Sequence, residues 1–224
     1  MIEEQNIFFS VKKNFKHKIE EIWNNEKFNE IKIKERGYAI QDDIHTNSLM
    51  FIGINPSFNG DENSFFYNNN QIESQIHPYF RKFQQISEIL DIPWTHFDLL
   101  FVRETQQNEI EKIFSLQNGV EFIFQQLQIS KEVIELARPK IIVVNNSLAR
   151  KYFGLEKDII KNENLWMNFN FDFDPKIGTY LISDGILKNT PVFFTSMLTG
   201  QRALDKGSYE RLIWHIDFVL KNFC

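Results

Sequence analysis

The sequence MFIGINPS at residues 50–57 is the stretch that best indicates the fold of this chain. Its apolar residues around Gly53 predict a buried β-strand, which Pro56 ends because proline has a fixed φ and no amide hydrogen. Since proline also favours an extended residue before it, Asn55 is predicted at the carboxyl end of the strand, where open α/β sheets place ligand sites. Ser57 adds a hydroxyl, and Gly53 allows another group to approach closely. The simpler alternative is an ordinary turn, because Asn-Pro is a common turn dipeptide.

Three further apolar runs predict strands that would join the first one in a single sheet. The four predicted strands lie near residues 48–54, 96–102, 140–145 and 191–195. Amphipathic patterns around them predict helices at residues 10–28, 79–91, 107–137, 147–153 and 208–223. Because helical segments separate consecutive strands, we expect right-handed crossovers and a parallel sheet.

Residues 166–184 have a different pattern, in which apolar and polar side chains alternate. The alternation predicts an antiparallel hairpin that is added to the main sheet and lies outside the functional site. We therefore predict an α/β fold, a single-domain three-layer sandwich with a four-stranded parallel central sheet. The domain would span residues 1–224, with an N-terminal helical extension at residues 1–45 and the hairpin as a small insertion.

Composition limits the classes of partner. The 224 residues suit one domain with a substantial core, in which most of the 23 phenylalanines must be buried. Lys and Arg total 25 against 30 Asp and Glu, so the net charge is −5. This balance argues against broad, non-specific binding of nucleic acid but allows a local contact.

Cysteine usage and hydropathy indicate the compartment. Cys224 is the single cysteine, so neither an internal disulfide nor a Cys and His metal site is expected. The amino terminus lacks the basic segment and apolar core of a signal peptide, and no apolar run approaches the ~20 residues that span a bilayer. We expect a cytoplasmic monomer without cofactor, metal or membrane partner.

The candidate site consists of the segments that directly follow the four predicted strands, here called strand exits. In a parallel sheet all strands open on the same edge, which would bring residues 55–57, 103–105, 145–146 and 196–202 together. All four segments are polar and follow apolar strands, so the sequence predicts one pocket at this edge.

The first exit resembles the uracil-DNA glycosylase superfamily, in particular its mismatch-specific thymine/uracil branch. That branch carries Gly-Ile-Asn-Pro-Gly after the first core strand, where this chain has Gly-Ile-Asn-Pro-Ser at residues 53–57. Residues 77–83 and 137–144 are similar to the family's His-Pro helix and its Pro-Lys strand. Residues 196–202 occupy the place of its last motif. The resemblance covers roughly residues 48–220, and only the first motif is near-literal.

The resemblance implies a role for each candidate residue. The predicted catalytic residues are Asn55, which would orient the attacking water, and Ser196. The predicted substrate-binding residues, which would hold the everted base or its phosphates, are Gly53, Ile54, Pro56, Ser57, Phe58, Phe66, Asn145, Thr199, Gly200 and Arg202. Met197 and Leu198 would form the DNA wedge that fills the place of the everted base.

Departures from the family pattern predict slow or altered activity. The strongest uracil excisers have an Asp where this chain has Asn55, and the last motif lacks both the histidine and the Pro-Ser pair. One lost hydrogen-bond donor to a leaving group costs ~3 kcal/mol of barrier. Since neither Asn55 nor Ser196 is a strong acid or base, we expect little change in activity between about pH 6 and 8.

Several of these residues also have an ordinary structural explanation. Asn145 or Asn146 could cap the helix that follows, which is the favoured interpretation. The aromatic residues Phe58, Phe65 and Phe66 could pack within their loop. Arg103 and Glu104 could pair with each other. His77 could have a structural role before a helix that starts at Pro78.

Two functions of different classes remain. The first is a DNA glycosylase-like enzyme that binds an everted damaged, mismatched or modified base and hydrolyses its N-glycosidic bond. The second is a non-catalytic module that keeps the glycosylase fold and binds nucleic acid or a nucleotide. An unrelated small-molecule enzyme is a weaker third possibility, because the chain has no Gly-rich phosphate-binding motif.

Overall fold

The structure, a computed structural model, describes residues 8–68, 77–155, 166–200 and 202–224. The strands in these ranges are β1 Phe8–Ser10, β2 Ala39–Gln41, β3 Asp43–His45, β4 Leu49–Gly53, β5 Phe65–Tyr67, β6 Trp94–Asp98, β7 Ile141–Val144, β8 Phe171–Asp174, β9 Thr179–Ile182 and β10 Pro191–Phe194. The α-helices are α1 Val11–Asn24, α2 Arg81–Leu90, α3 Gln107–Lys112, α4 Gly119–Ala137, α5 Ser147–Phe153 and α6 Lys206–Phe223. Residues 1–7 of the predicted N-terminal extension and Gln201 of the last strand exit lie outside the described residues.

The central sheet has six strands in the order β6-β4-β7-β10-β9-β8. All four strands predicted from the sequence lie in it, and β4 pairs in parallel with β6 and β7, as β10 does with β7. The hairpin β8–β9 continues the sheet, because β9 pairs antiparallel with β10. The α/β class is therefore confirmed. The four predicted strands pair in parallel, but they form only part of the central sheet, which is six-stranded and mixed because the hairpin extends it.

Helices cover both faces of the sheet, as the uninterrupted apolar character of its central strands indicates. On β4, Met50 and Ile52 point into a core that also contains residues of α1, α4 and α5. Leu49 and Phe51 point to the opposite face and pack with residues of α2 and α6. The alternation follows from the two-residue period of a strand, and both faces are apolar because both are buried.

The amino-terminal region is part of this core. Helix α1 lies within the predicted range 10–28, and its Val11, Phe15 and Ile19 are buried against the main cluster. After α1, two 3₁₀ turns lead into β2 and β3, so the region is not only helical. None of the helices in the described ranges is both long and apolar enough to span a membrane.

Strand β6 ends earlier than the sequence predicts. Its sheet pairing stops at Asp98, although residues 99–102 continue the apolar run and are fully buried. Beyond Asp98 the chain bends around the end of β4, where Leu99 N donates to Gly53 O at 3.2 Å and Leu100 N to Ile54 O at 2.8 Å. The difference matters because it places Asp98 at the carboxyl end of its strand.

Candidate functional site

A cavity of about 450 Å³ lies at the carboxyl ends of β4 and β6. Its volume falls in the range of small-molecule sites, about 300–1,000 Å³. Its wall is formed by Ile54, Asn55, Pro56, Ser57, Phe65, Tyr67, His77, Tyr79, Phe80, His96, Asp98, Glu104, Thr105, Gln107, Asn146 and Met197. All four predicted strand exits thus contribute to one site, and no residue of the 166–184 hairpin lines it, as predicted.

A wider groove of about 770 Å³ lies between α1 and α4 but has a different character. Its charged groups are exposed, and two of them, Lys18 and Glu132, form an ion pair of 2.6 Å. Such surface pairs stabilise little and bind nothing by themselves. The cavity beside β4 and β6 is therefore the better candidate.

Asn55 is held by the neighbouring strand exit. Its Nδ2 donates to the carbonyl oxygens of Glu104, at 2.6 Å, and of Pro56, at 3.0 Å. Because carbonyl oxygens only accept, these bonds fix which end of the amide is nitrogen. Oδ1 is left as the acceptor that Asn55 offers to the cavity, so the residue does more than close a turn.

Asp98 is the main functional candidate that the sequence analysis missed. It stands opposite Gly53 in the register of β4 and β6, so an acid lies beside the first motif although none lies within it. The carboxyl is buried, and desolvation raises its pKa to about 7. The sequence feature that could have identified Asp98 is an acidic residue inside an otherwise apolar predicted strand. Because Asp98 lies on the cavity wall and changes its protonation near pH 7, activity is no longer expected to stay constant between pH 6 and 8.

Gly53 is glycine because the Asp98 carboxyl occupies the place of a side chain. A Cβ at this position would overlap Asp98 Oδ1 and would lie 2.9 Å from His96 Nε2. The close approach predicted for Gly53 is thus an approach of the carboxyl and the imidazole. Gly53 itself contributes no side chain to the wall and shapes the floor of the cavity instead.

Gly53→Ala should destabilise the fold by about 2 kcal/mol, because the added methyl group overlaps the Asp98 carboxyl and forces that buried side chain to move. The free energy of unfolding in urea measures this effect. Gly207→Ala is the matched control, since a Cβ there makes only an ordinary contact with Asp205 at 3.4 Å. Equal stability of the two variants would contradict the close packing of Asp98 on Gly53.

His96 is the second floor residue that the sequence analysis missed. It is 2% exposed, and neither ring nitrogen has a hydrogen-bond partner in the described part of the chain. Burial lowers its pKa to about 3, so the ring is neutral and carries one donor and one acceptor. Its Nε2 lies 3.8 Å from Asp98 Oδ1, too far for a hydrogen bond. The ring stacks on Phe83, with centroids 5.4 Å apart, which fixes its orientation.

Aromatic side chains form much of the remaining wall. Phe65 and Tyr67 come from β5, which pairs in parallel with β2. Tyr79 and Phe80 come from the 3₁₀ turn at Pro78–Phe80, which His77 caps by accepting a hydrogen bond from Tyr79 N. His77 therefore has the structural role that was predicted for it and also lines the cavity.

Two of the predicted base-stacking residues point elsewhere. Phe66 is on the opposite face of β5 from Phe65 and packs on Tyr38, with ring centroids 5.7 Å apart. Phe58 lies between two guanidinium groups, 4.7 Å from that of Arg36 and 5.3 Å from that of Arg103. Neither ring lines the cavity, so the structure does not bring these two candidates to the site.

Arg103 holds the loop that leads to β5 and does not pair with Glu104. Its buried guanidinium donates to Asn59 Oδ1 at 2.7 Å, to Asn63 O at 2.8 Å and to Asp61 O, and it lies 4.9 Å from the ring of Phe65. Glu104 pairs with Arg36 instead. Burial would raise the pKa of Glu104, but hydrogen bonds and Arg36 hold it below the usual range.

Arg103→Lys should destabilise the protein by about 2 kcal/mol and loosen the loop at residues 58–65, because an ammonium group cannot reach several acceptors in one plane. Urea unfolding and the rate of proteolytic cleavage in this loop measure the two effects. The exposed Arg211→Lys is the control. An unchanged cleavage rate would show that Arg103 does not order the loop.

The last strand exit reaches the cavity through one residue. Met197 lines the wall, whereas Ser196 is exposed and outside it. Leu198 is fully buried with Leu49 and Phe51 in the core beside α2 and α6, so the structure does not place it at the cavity. The wall also lacks three further predicted binding residues, Thr199, Gly200 and Arg202. Met197 is therefore the remaining candidate for the DNA wedge.

The exit of β7 divides its two asparagines between two roles. Asn146 caps α5, because its Oδ1 accepts hydrogen bonds from Leu148 N at 2.8 Å and Ala149 N at 3.2 Å, and it also lines the cavity. Asn145 is buried behind the wall beside Tyr79, and its Oδ1 has no hydrogen-bond partner in the described part of the chain. The capping prediction is confirmed for Asn146. Asn145 does not line the cavity, contrary to its predicted contact with a base.

Comparison of the chain with protein-family models, with curated proteins and with solved structures gave no match. In the described ranges, no group of three or more His, Cys, Asp or Glu side chains is arranged to hold a metal ion. The chemistry of the site is therefore inferred from its own residues.

Proposed function

We propose that the cavity binds a single nucleobase turned out of a DNA strand and that the protein hydrolyses its N-glycosidic bond, as a glycosylase-like enzyme with the fold of that superfamily. The observation that supports this most directly is the combination in one cavity of aromatic walls, the Asn55 acceptor and the polar floor of His96 and Asp98. An enzyme that acts on a base must take it out of the helix, and a flat, partly polar pocket suits that ligand.

The wall favours a base over a phosphate group. Phe65, Tyr67, Tyr79 and Phe80 offer ring faces and edges, and stacking of a base on an aromatic side chain contributes about 1–3 kcal/mol. The described wall includes the acids Asp98 and Glu104 but no lysine or arginine. Phosphates would therefore stay at the mouth, in agreement with a net charge of −5 and only local contact with DNA.

In this proposal Asn55 positions the attacking water. Its Oδ1 accepts one hydrogen of the water, and its Nδ2 stays bound to the Glu104 and Pro56 carbonyls, so the amide cannot rotate. The water oxygen forms a bond to the sugar carbon as the bond from that carbon to the base nitrogen breaks. The hydroxyl remains on the sugar, and the water proton passes through solvent to the departing base. A neutral amide orients the water without ionising it, which is consistent with slow turnover.

The second candidate is a non-catalytic module that binds nucleic acid or a nucleotide in the same cavity. It is favoured by the position of Ser196, which is exposed and away from the wall. The predicted second catalytic residue therefore does not reach the site in this structure.

An excision assay separates the two candidates. Single-stranded and double-stranded oligonucleotides, each with one damaged, mismatched or modified base, are incubated with excess protein, and the abasic product is measured. Product that depends on Asn55 supports the glycosylase. Binding of lesion DNA without product from any substrate supports the module, and the absence of both contradicts the proposal.

A further inference from the structure

The floor of the cavity contains two polar groups that the proposed hydrolysis does not use. Asp98 and His96 lie on alternate positions of β6 and are almost completely buried, whereas Asn55 and Ser57 are more exposed. The two floor groups do not hydrogen-bond each other, and neither nitrogen of His96 has a partner in the described part of the chain, so a ligand edge seated on the floor would satisfy both. A buried polar group without a partner is costly, so a ligand that satisfies it gains affinity.

Among the described residues that line the cavity with Asp98, none is a lysine or an arginine. On its own strand it faces His96, which is neutral, and on β4 it faces Gly53. Tyr67 of β5 and Tyr79 of the 3₁₀ turn are the other titratable groups that interact with it, and burial raises the pKa of each. The remaining titratable side chains of the wall are Glu104 and His77. An ionised Asp98 therefore needs hydrogen-bond donors from the ligand.

We infer that Asp98 and His96 recognise the hydrogen-bonding edge of the base and select a guanine-type edge, in which a ring N–H stands beside an exocyclic amino group. This inference rests on the proposed function. A carboxylate offers two acceptors, which match the two adjacent donors of such an edge, and the donor nitrogen of His96 matches the neighbouring carbonyl oxygen. A uracil-type edge has one N–H between two carbonyl oxygens. One oxygen of the carboxylate would therefore face a carbonyl oxygen, with no hydrogen between the two atoms. The substrate class is therefore damaged or modified guanine and not uracil or thymine.

A set of thymine-only oligonucleotides tests this selection. Each single strand carries one central deoxyguanosine, deoxyinosine, deoxyuridine or thymidine, and binding is measured by fluorescence anisotropy at pH 8. Deoxyinosine lacks only the exocyclic amino group, so we expect its strand to bind about 10-fold more weakly than the deoxyguanosine strand. At pH 5.5 Asp98 is protonated and the ratio should fall towards one. His17→Gln, an exposed change on α1 away from the cavity, should keep this pH dependence.

Asp98→Asn is the decisive variant, because it preserves size and replaces one acceptor with a donor. It should lose the preference for deoxyguanosine over deoxyinosine and bind the deoxyuridine strand more tightly than the wild type does. Asp172→Asn, an exposed change of the same charge on β8, should bind like the wild type.

Two results overturn the inference and leave the proposed function standing. They are equal binding of the deoxyguanosine and deoxyinosine strands by the wild type, and an unchanged preference in Asp98→Asn. Excision of other bases in the lesion panel would then define the substrate. Failure of every strand to bind, together with no excision from that panel, overturns the proposed function itself and the inference with it.

Discussion

Asp98→Asn should make the protein more stable than the wild type at pH 8 by about 4 kcal/mol. Burial raises the pKa of Asp98 to about 7, from the 3.8 that is usual for an exposed aspartate. Each pKa unit corresponds to about 1.4 kcal/mol, so the ionised carboxylate costs about 4 kcal/mol in the folded protein relative to the unfolded chain. Asparagine carries no charge and avoids this cost.

The raised pKa of Asp98 determines the pH range over which the stability of the wild type changes relative to the variant. Between about pH 4 and 7 the folded protein binds a proton at Asp98 that the unfolded chain has released, so the free energy of unfolding falls as the pH rises. Below this window both states are protonated and the two proteins should differ little. Above pH 7 both states are ionised and the difference should be constant.

Urea unfolding of both proteins between pH 4 and 8 measures the difference directly. Subtraction cancels the contributions of other groups, such as Glu104 with its lowered pKa. Asp172→Asn is the matched control and should show no comparable gain. A difference that stays flat across the window would show that Asp98 is not buried as a high-pKa carboxyl. If the predicted difference is found, Asp98 is kept at a cost in stability, which is typical of functional sites.

Asn55→Ala should lower the single-turnover rate of excision by about 100-fold, because an unoriented water seldom attacks the sugar carbon in line. Affinity for lesion DNA should change little, since the contact to the water matters mainly in the transition state. Quenched-flow or manual time courses with excess protein give the rate, and anisotropy gives the affinity.

The control for this variant is Asn24→Ala, at the exposed end of α1, purified in the same way. It should retain the full rate, which excludes a contaminating enzyme as the source of activity. Unchanged DNA binding shows that Asn55→Ala is folded despite the loss of two hydrogen bonds to backbone carbonyls. A verified excision rate that survives Asn55→Ala would disprove the proposed role of Asn55.

The sequence by itself determined the features that depend on neighbouring residues. The apolar run at residues 49–53 specifies a strand buried on both faces, and Pro56 ends it so that Asn55 lies at the cavity. In the same way, Asn146 and Gly154 mark the two ends of α5, since Asn caps and a positive-φ glycine are local helix signals.

Only the tertiary structure decided which side chains meet in the site. Asp98 reaches Gly53 because β6 ends there and pairs with β4 in one register, a contact between residues 45 apart in the chain. Phe65 and not Phe66 lines the cavity because pairing of β5 with β2 fixes which face of a short strand points inward. Leu198 is buried because the chain after β10 places it in the core between the sheet and the helices α2 and α6. Local patterns cannot specify these outcomes, because strand register and the facing of loops are set by partners distant in the sequence.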